Sequence, residues 1–404
     1  MPITFLWPGV SVVPVRSVSD SFPGPVSLHI TPVTSRRDLK RFVDLPWQIY
    51  NTNSHPAWVP PLRLMVLDAL DERKNPFYLR ASRALFLAVR GERVVGRIAA
   101  IENQAHNEFH EDRVGFFGFF EAIDDQAVAD ALFAAAAEWL RARGLNTMRG
   151  PMSPSTNHEV GLLVDGFDEH PMIMTPWNPL YYATLYEAAG LSKAKDLLAY
   201  DLPMGDREFA LPAQFEEHAQ RARSRSNLVF RDVDLGHFAR ELELCWEIYN
   251  SAWEKNWGFV PMSKVEFIHM AKEMKLLILP QFAFIAEVNG EPAGFMIVLP
   301  DFNRIFKRIP SGRLLPTGLF KLLTGKSKLK SGRVILLGVK PAFRSRSIFQ
   351  LFASEMFRRG RAFGATGAEA SWVLEDNIMM TRPMEAMGAH AYRRWRVYDK
   401  ALAP

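Results

Sequence analysis

The chain contains a single cysteine, Cys245, set between Leu244 and Trp246. An internal disulfide is therefore impossible, and no Cys/His cluster has the spacing of a structural zinc site. Cys245 reads as a buried apolar residue in a reducing compartment. Runs of 18 or more apolar residues are also missing, so nothing is expected to span a bilayer. The N-terminus is apolar through Val15, but it lacks a basic leader and is broken by Pro2, Pro8 and Pro14, which argues against a signal peptide. Acid is nearly absent from one stretch. Between Asp301 and Arg333 there are nine Lys and Arg against that one Asp, a local charge of +8 in a chain whose total is +5. Leu314, Leu315, Leu319, Phe320, Leu322 and Leu323 lie among these bases. Basic and apolar together is the profile of a segment resting on an anionic membrane surface, and the leucines make a solvated or nucleic-acid-binding loop the weaker reading.

What is present is ample core material. Of 404 residues, 48% are hydrophobic and 12% aromatic, which suits two domains of roughly 200 residues each. Residues 1–25 read as a flexible Pro/Ser/Val arm. Leu85-Phe86-Leu87-Ala88-Val89-Arg90-Gly91-Glu92 resembles Phe284-Ile285-Ala286-Glu287-Val288-Asn289-Gly290-Glu291, and each is a hairpin signal. Asn178 to Gly190 likewise resembles Asn377 to Gly388. The pattern divides the chain into a first domain at 26–203, a linker at 204–227 and a second domain at 228–404. Each copy has gained an insert: 153–176 in the first and the basic 301–333 in the second. Within the first copy, Val128, Leu132, Ala136, Trp139 and Leu140 predict a helix from about 126 to 143, closed by Gly144.

In the second copy Val334-Ile335-Leu336-Leu337-Gly338-Val339 predicts a buried strand. A basic turn and a helix bearing Phe349, Phe352, Met356 and Phe363 follow it. A strand that opens through a basic turn into a helix N-terminus is an anion site, because its N–H groups are unpaired and the helix dipole is positive there. This order resembles the core of the GNAT acyltransferases. The resemblance implies an α/β fold of two tandem GNAT-like domains, each a mixed twisted sheet flanked by helices. It also implies that Leu337, Gly338 and Val339 pair with the pantetheine arm of coenzyme A, that Arg344, Ser345, Arg346 and Ser347 hold its pyrophosphate, and that Asn377 is a helix N-cap and a cofactor contact. Ser347 replaces the first glycine of the usual motif, and Phe349 stands where a small residue is usual. The equivalent turn of the first copy, Glu121-Ala122-Ile123-Asp124-Asp125, is acidic and would repel pyrophosphate. The donor is therefore assigned to the second copy, and an acceptor or supporting role to the first.

Acyl transfer to an amine needs a base, because an alkyl ammonium has a pKa of roughly 10. Glu375, with Asp376, ends the strand next to the donor strand and is favoured by position. The pair His158 and Glu159, in the first copy's insert, is the rival. Trp253, Trp257 and Phe259 suit a wall for a long apolar substrate as well as they suit core packing, and Asn157 and Tyr181 complete the candidate acceptor site. Asn256-Trp257-Gly258-Phe259-Val260-Pro261, Leu299-Pro300-Asp301-Phe302-Asn303 and Ser371-Trp372-Val373-Leu374-Glu375-Asp376-Asn377 resemble the GNAT-like bacterial ceramide synthases. That resemblance implies transfer of a fatty acyl group from acyl-CoA, or from acyl carrier protein, to the amine of a sphingoid base or its 3-keto precursor. It implies no metal and no nucleic acid, and work in the cytoplasm at the inner membrane surface. Aminoacyl transfer and non-catalytic binding of acyl chains or lipids are the alternatives.

Overall fold

A computed structural model describes residues 27–50, 53–205, 211–225, 227–254, 256–344 and 348–403. The expected arm, and Ser345, Arg346 and Ser347, lie outside the described residues.

The first copy supplies β1 (Leu28–Pro32), β2 (Ala81–Arg90), β3 (Arg93–Asn103), β4 (Val114–Ala122), β5 (Thr147–Gly150), the short β6 (Met152–Ser153), β7 (Glu159–Val160) and β8 (Leu162–Asp165), then β9 (Ser192–Pro203). The second supplies β10 (Leu228–Asp232), β11 (Ala283–Val288), β12 (Glu291–Pro300), β13 (Ser331–Val339), β14 (Gly367–Leu374) and β15 (His390–Ala401). In each copy four antiparallel strands are followed by a helix and a parallel strand: β4 and β5 flank helix Gln126–Arg141, and β13 and β14 flank helix Ile348–Phe363. The hairpin expected at Gly290 forms with both Asn289 and Gly290 at positive φ, as a two-residue type I′ turn requires. The helix expected near 126–143 buries Val128, Leu132, Ala136 and Leu140 against the first copy's sheet, and Asp125 caps its start.

All but β6 and β7 join one sheet in the order β1-β2-β3-β4-β5-β15-β9-β14-β13-β12-β11-β10, with β8 also on β15. The last strand of each copy is thus exchanged: β15 pairs with β5 of the first copy, and β9 pairs with β14 of the second. β9 and β15 pair with each other at the centre, where Trp395 is fully buried. The stretch expected as a linker contains helix Ala213–Arg225. This helix packs on helix Ile348–Phe363, burying Leu211 and Phe215 and setting Arg223 3.3 Å from Glu355.

Both parallel pairs part early, β13 from β14 after Val334↔Ala370 and β4 from β5 after Phe116↔Arg149. The gap between β4 and β5 is filled by its own chain. At Gly118 a Cβ would lie 1.7 Å from the Met152 carbonyl oxygen, and the Phe119 N–H donates to Ser153 Oγ at 2.9 Å. Among the described residues nothing similar fills the gap between β13 and β14, which opens onto cavities.

Candidate active site

Two cavities meet at that gap. The smaller, about 110 Å³, lies between the gap and helices Ile348–Phe363 and Ile378–Ala386, against Leu337, Phe349, Asn377 and Met384. The larger, about 240 Å³, lies among helices Phe238–Trp253 and Lys264–Met274 and the first copy's 156–160 segment. Trp253, Asn256, Ile335, Trp372 and Leu374 line both. Among the described residues the β14-facing edge of β13 has no strand partner beyond Val334, which leaves backbone groups short of the Arg344-bound Val339 carbonyl for a ligand that lies along it.

The polar end of the larger cavity is built from both copies. Asn157 Oδ1 accepts from the Tyr249 hydroxyl at 2.6 Å. His158 lines the cavity, its Nδ1 2.8 Å from Ser155 Oγ. Burial holds the imidazole's pKa down at about 4, so the ring is neutral. Glu159, the next residue, is exposed to solvent and lines neither cavity, yet protein crowds its carboxyl. Burial pushes its carboxyl up to about 6 against the pull of Arg333, with the charge of Glu121 adding to the rise. Arg333 is 2% exposed. It donates to Ile173 O at 2.7 Å and to Ser371 Oγ at 2.8 Å, and it lies over the Trp372 ring. Ser371 donates in turn to Glu369, which also accepts from Tyr392, so β13, β14, β15 and the first copy's insert share one buried polar network. His170 of that insert meets Asp301 of the other insert at 2.9 Å.

No family model matches the chain. It is 40% identical over 385 residues to the bacterial ceramide synthase of Caulobacter vibrioides, covering 93% of this chain and 98% of that one. The chain belongs to the bacterial ceramide synthase family. Protein YghO of Escherichia coli is 35% identical over 374 residues, or 91% of this chain and 94% of its own length. Among solved structures, a tandem GNAT protein from the clavulanic acid pathway aligns over 94% of this chain and 99% of its own with a TM-score of 0.54 at 14% identity. A glucosamine N-acetyltransferase region of a fungal multi-domain enzyme aligns over 93% of this chain and 38% of its own, with a TM-score of 0.55 at 15% identity. The tandem GNAT fold expected from the sequence is the fold found, and the chain is an acyl-transferring enzyme.

On this ceramide synthase family frame the expected site residues separate into groups. Asn157, His158, Trp253, Trp257 and Phe259 converge on the larger cavity, and Trp257 lies 5.0 Å from the Arg149 guanidinium carbon. Leu337 and Asn377 line the smaller cavity. Asn377 occupies the N-cap position of helix Ile378–Ala386 without making the side-chain capping bond. Gly338 is packed against Trp253, and Val339 follows it to the end of β13. Arg344 is engaged with backbone: it donates to the carbonyls of Val339 and Ala252, fastening the turn to the end of helix Phe238–Trp253. Tyr181 lies elsewhere, donating to Ala122 O at 2.8 Å beside the first copy's acidic turn. Glu375 lines neither cavity. Its carboxylate accepts from Lys193 at 2.7 Å and from the Asp196 N–H at 3.0 Å, because the exchanged strand β9 brings those groups alongside. Arg333 is the residue that the sequence reading left among surface bases. Its place inside β13, directly before the predicted buried strand, was the available signal.

Proposed function

We propose that the chain is an N-acyltransferase that moves a long-chain fatty acyl group from acyl-CoA to the amine of a sphingoid base or its 3-keto precursor. The observation that carries this reading is the junction of the two cavities: a mostly apolar chamber with Asn157, His158 and Arg333 at one end meets the open edge of β13. The thioester arm lies along that edge, as backbone pairing favours, with its pyrophosphate toward the N-terminus of helix Ile348–Phe363. In the first copy the corresponding turn is spent internally, since Glu121 accepts from Tyr50 and Tyr182 and Asp125 caps a helix. This supports the donor role of residues 228–404 and the acceptor role of 27–203.

Glu159 is the better base of the two, although only His158 lines the cavity and Glu159 follows it in the chain. A carboxylate titrating near 6 is ionised at neutral pH, attracts an ammonium and accepts its proton more readily than an imidazole titrating near 4. The freed amine attacks the thioester carbon, the carbon–nitrogen bond forms as the carbon–sulfur bond breaks, and the departing thiolate takes up the proton that the nitrogen sheds on becoming an amide. His158 and Asn157 are left to hold the acceptor's oxygen groups by hydrogen bonds.

Membrane attachment is part of the same reading. In the basic insert Leu322 is buried, while Leu315, Phe320 and Leu323 are 73%, 70% and 63% exposed, and Lys321 lies within the same helix. An anionic bilayer satisfies both features, and it is where a long-chain amine resides. No helix among the described residues is long and apolar enough to cross a membrane. The deciding experiment is incubation of pure protein with palmitoyl-CoA or palmitoyl acyl carrier protein and a panel of long-chain amines, read by mass spectrometry. An amide formed from a sphingoid base or its 3-keto form supports the proposal, and the productive donor fixes the carrier. Absence of amide with every pair overturns it.

A further inference from the structure

Helix Phe238–Trp253 runs along the whole of the larger cavity. Phe238, Glu241, Leu242, Cys245, Tyr249 and Trp253 line it at the intervals of a single helix face. The Trp253 end is fixed at the gap, because Trp253 borders both cavities and packs on Gly338 of β13. The Phe238 end is closed by charge. Glu241, 5% exposed, has its carboxylate held by Arg231 at 2.9 and 3.1 Å, and Arg231 also holds Glu287 at 2.6 Å. A hydrocarbon that went further would have to part the partly exposed Arg231 from Glu241 and leave a buried carboxylate unpaired, which is strongly unfavourable. From Trp253 to Phe238 the helix rises roughly 22 Å at about 1.5 Å per residue. A saturated chain of tetrahedral carbons advances about 1.25 Å per atom, from a bond of about 1.52 Å, so the wall spans roughly 18 carbons.

We propose that the larger cavity is a ruler for one saturated alkyl chain of about 18 carbons, with its reactive end at Trp253 and Asn157 and its methyl end against Phe238 and the Glu241–Arg231 pair. Cys245 marks the middle, about 12 Å from Trp253 along the helix, which corresponds to about 10 carbons. The chain is either the acyl group or the tail of the amine, since both begin at the junction. This inference rests on the transfer reading for the head group but is tested by binding alone.

The test is calorimetric titration of the intact protein, without turnover, using saturated acyl-CoAs in one series and saturated 1-alkylamines in another, from roughly 8 to roughly 24 carbons. Affinity should rise about fourfold per methylene while carbons are still being buried. In one series the rise should stop near 18 carbons, and that series identifies the occupant. Cys245→Phe should move the break down to about 10 carbons, and Phe238→Ala, which leaves the Glu241–Arg231 pair standing, should leave it near ~18. Far-UV circular dichroism and the melting temperature report whether each variant is folded. If the variants do not fold, the wild-type series still decides: a rise that continues past the expected length, or no length dependence in either series, overturns the ruler. A folded Cys245→Phe protein with an unmoved break does the same. A length break without any amide product would refute the transfer reading and leave the ruler standing, and product formation without a break would do the reverse.

Discussion

Replacing Glu159 by Gln separates its two roles, because the same burial that makes it a useful base makes it a burden on the fold. Its carboxyl is raised from 4.5 to about 6. At about 1.36 kcal/mol per pKa unit that is roughly 2 kcal/mol, and since Glu159 touches solvent about half of that, ~1 kcal/mol, is the reasonable share. The sign is opposite to that of a salt-bridged acid. The unfolded chain loses this proton first, so stability falls as pH rises from 4.5 through 6 and stays lower above. Glu159→Gln should therefore be more stable than wild type by about 1 kcal/mol at pH 8 in a urea titration, with the difference vanishing below pH 4.5. Activity should move the other way. Wild-type kcat/KM should rise through pH 6 as the carboxylate ionises, and the variant should lose that limb along with a factor of roughly 10² to 10⁴ in kcat. The deficit should shrink with alkalinity, because the free fraction of an alkyl amine grows about 100-fold from pH 7 to pH 9. A variant with wild-type kcat and an intact limb at pH 6 would refute Glu159 as the base, and a destabilised variant would refute the account of its burial.

Glu375→Gln loses one ion pair at the surface, so stability should fall by less than about 1 kcal/mol and kcat should not change; a large kcat loss at constant acyl-CoA affinity would return the base to β14. Arg333→Met leaves Ile173 O and Ser371 without their buried donor and takes a compensating charge from near Glu369, so denaturant titration should show a loss of about 3–5 kcal/mol; a cost near zero would refute that account of the seam. Phe320→Ser with Leu323→Ser removes two exposed apolar side chains worth about 1.5 kcal/mol each at a bilayer, and co-sedimentation with anionic liposomes should weaken about 100-fold. Equal sedimentation of variant and wild type would place the membrane contact elsewhere.

Much of the fold was legible because it is local. The glycine of each hairpin, the apolar stripe of Val128, Leu132, Ala136 and Leu140, and the β-branched run at Val334 each follow from short-range pattern. The repeat then revealed the tandem arrangement. The strand exchange was not legible, since β9 and β15 would look the same in sequence whichever sheet received them. That one gap explains why Glu375 was favoured: the end of β14 was read as facing a ligand crevice, whereas β9 lies beside it with Lys193 and Lys195. Arg333 was misplaced for a similar reason, as the network that buries it comes from β14 and the first copy's insert. His158 and Asn157 stood out because they lie in an insert that the second copy lacks, and both line the larger cavity.

The exchanged strands also set an order on synthesis. The first copy leaves the ribosome with β5 at an open edge, and the strand that closes it, β15, is made only after the other strands of the second copy. The pair Arg149 and Asp399, joined at 2.8 and 2.7 Å across that seam, is separated by 250 residues of chain. Contacts so distant form slowly, and an unpaired edge is a template for the wrong partner while it waits. The first copy must therefore survive the whole of translation incomplete. Its gap at β4, already filled by its own 152–160 segment, leaves it one less exposed edge during that interval than a vacant notch would.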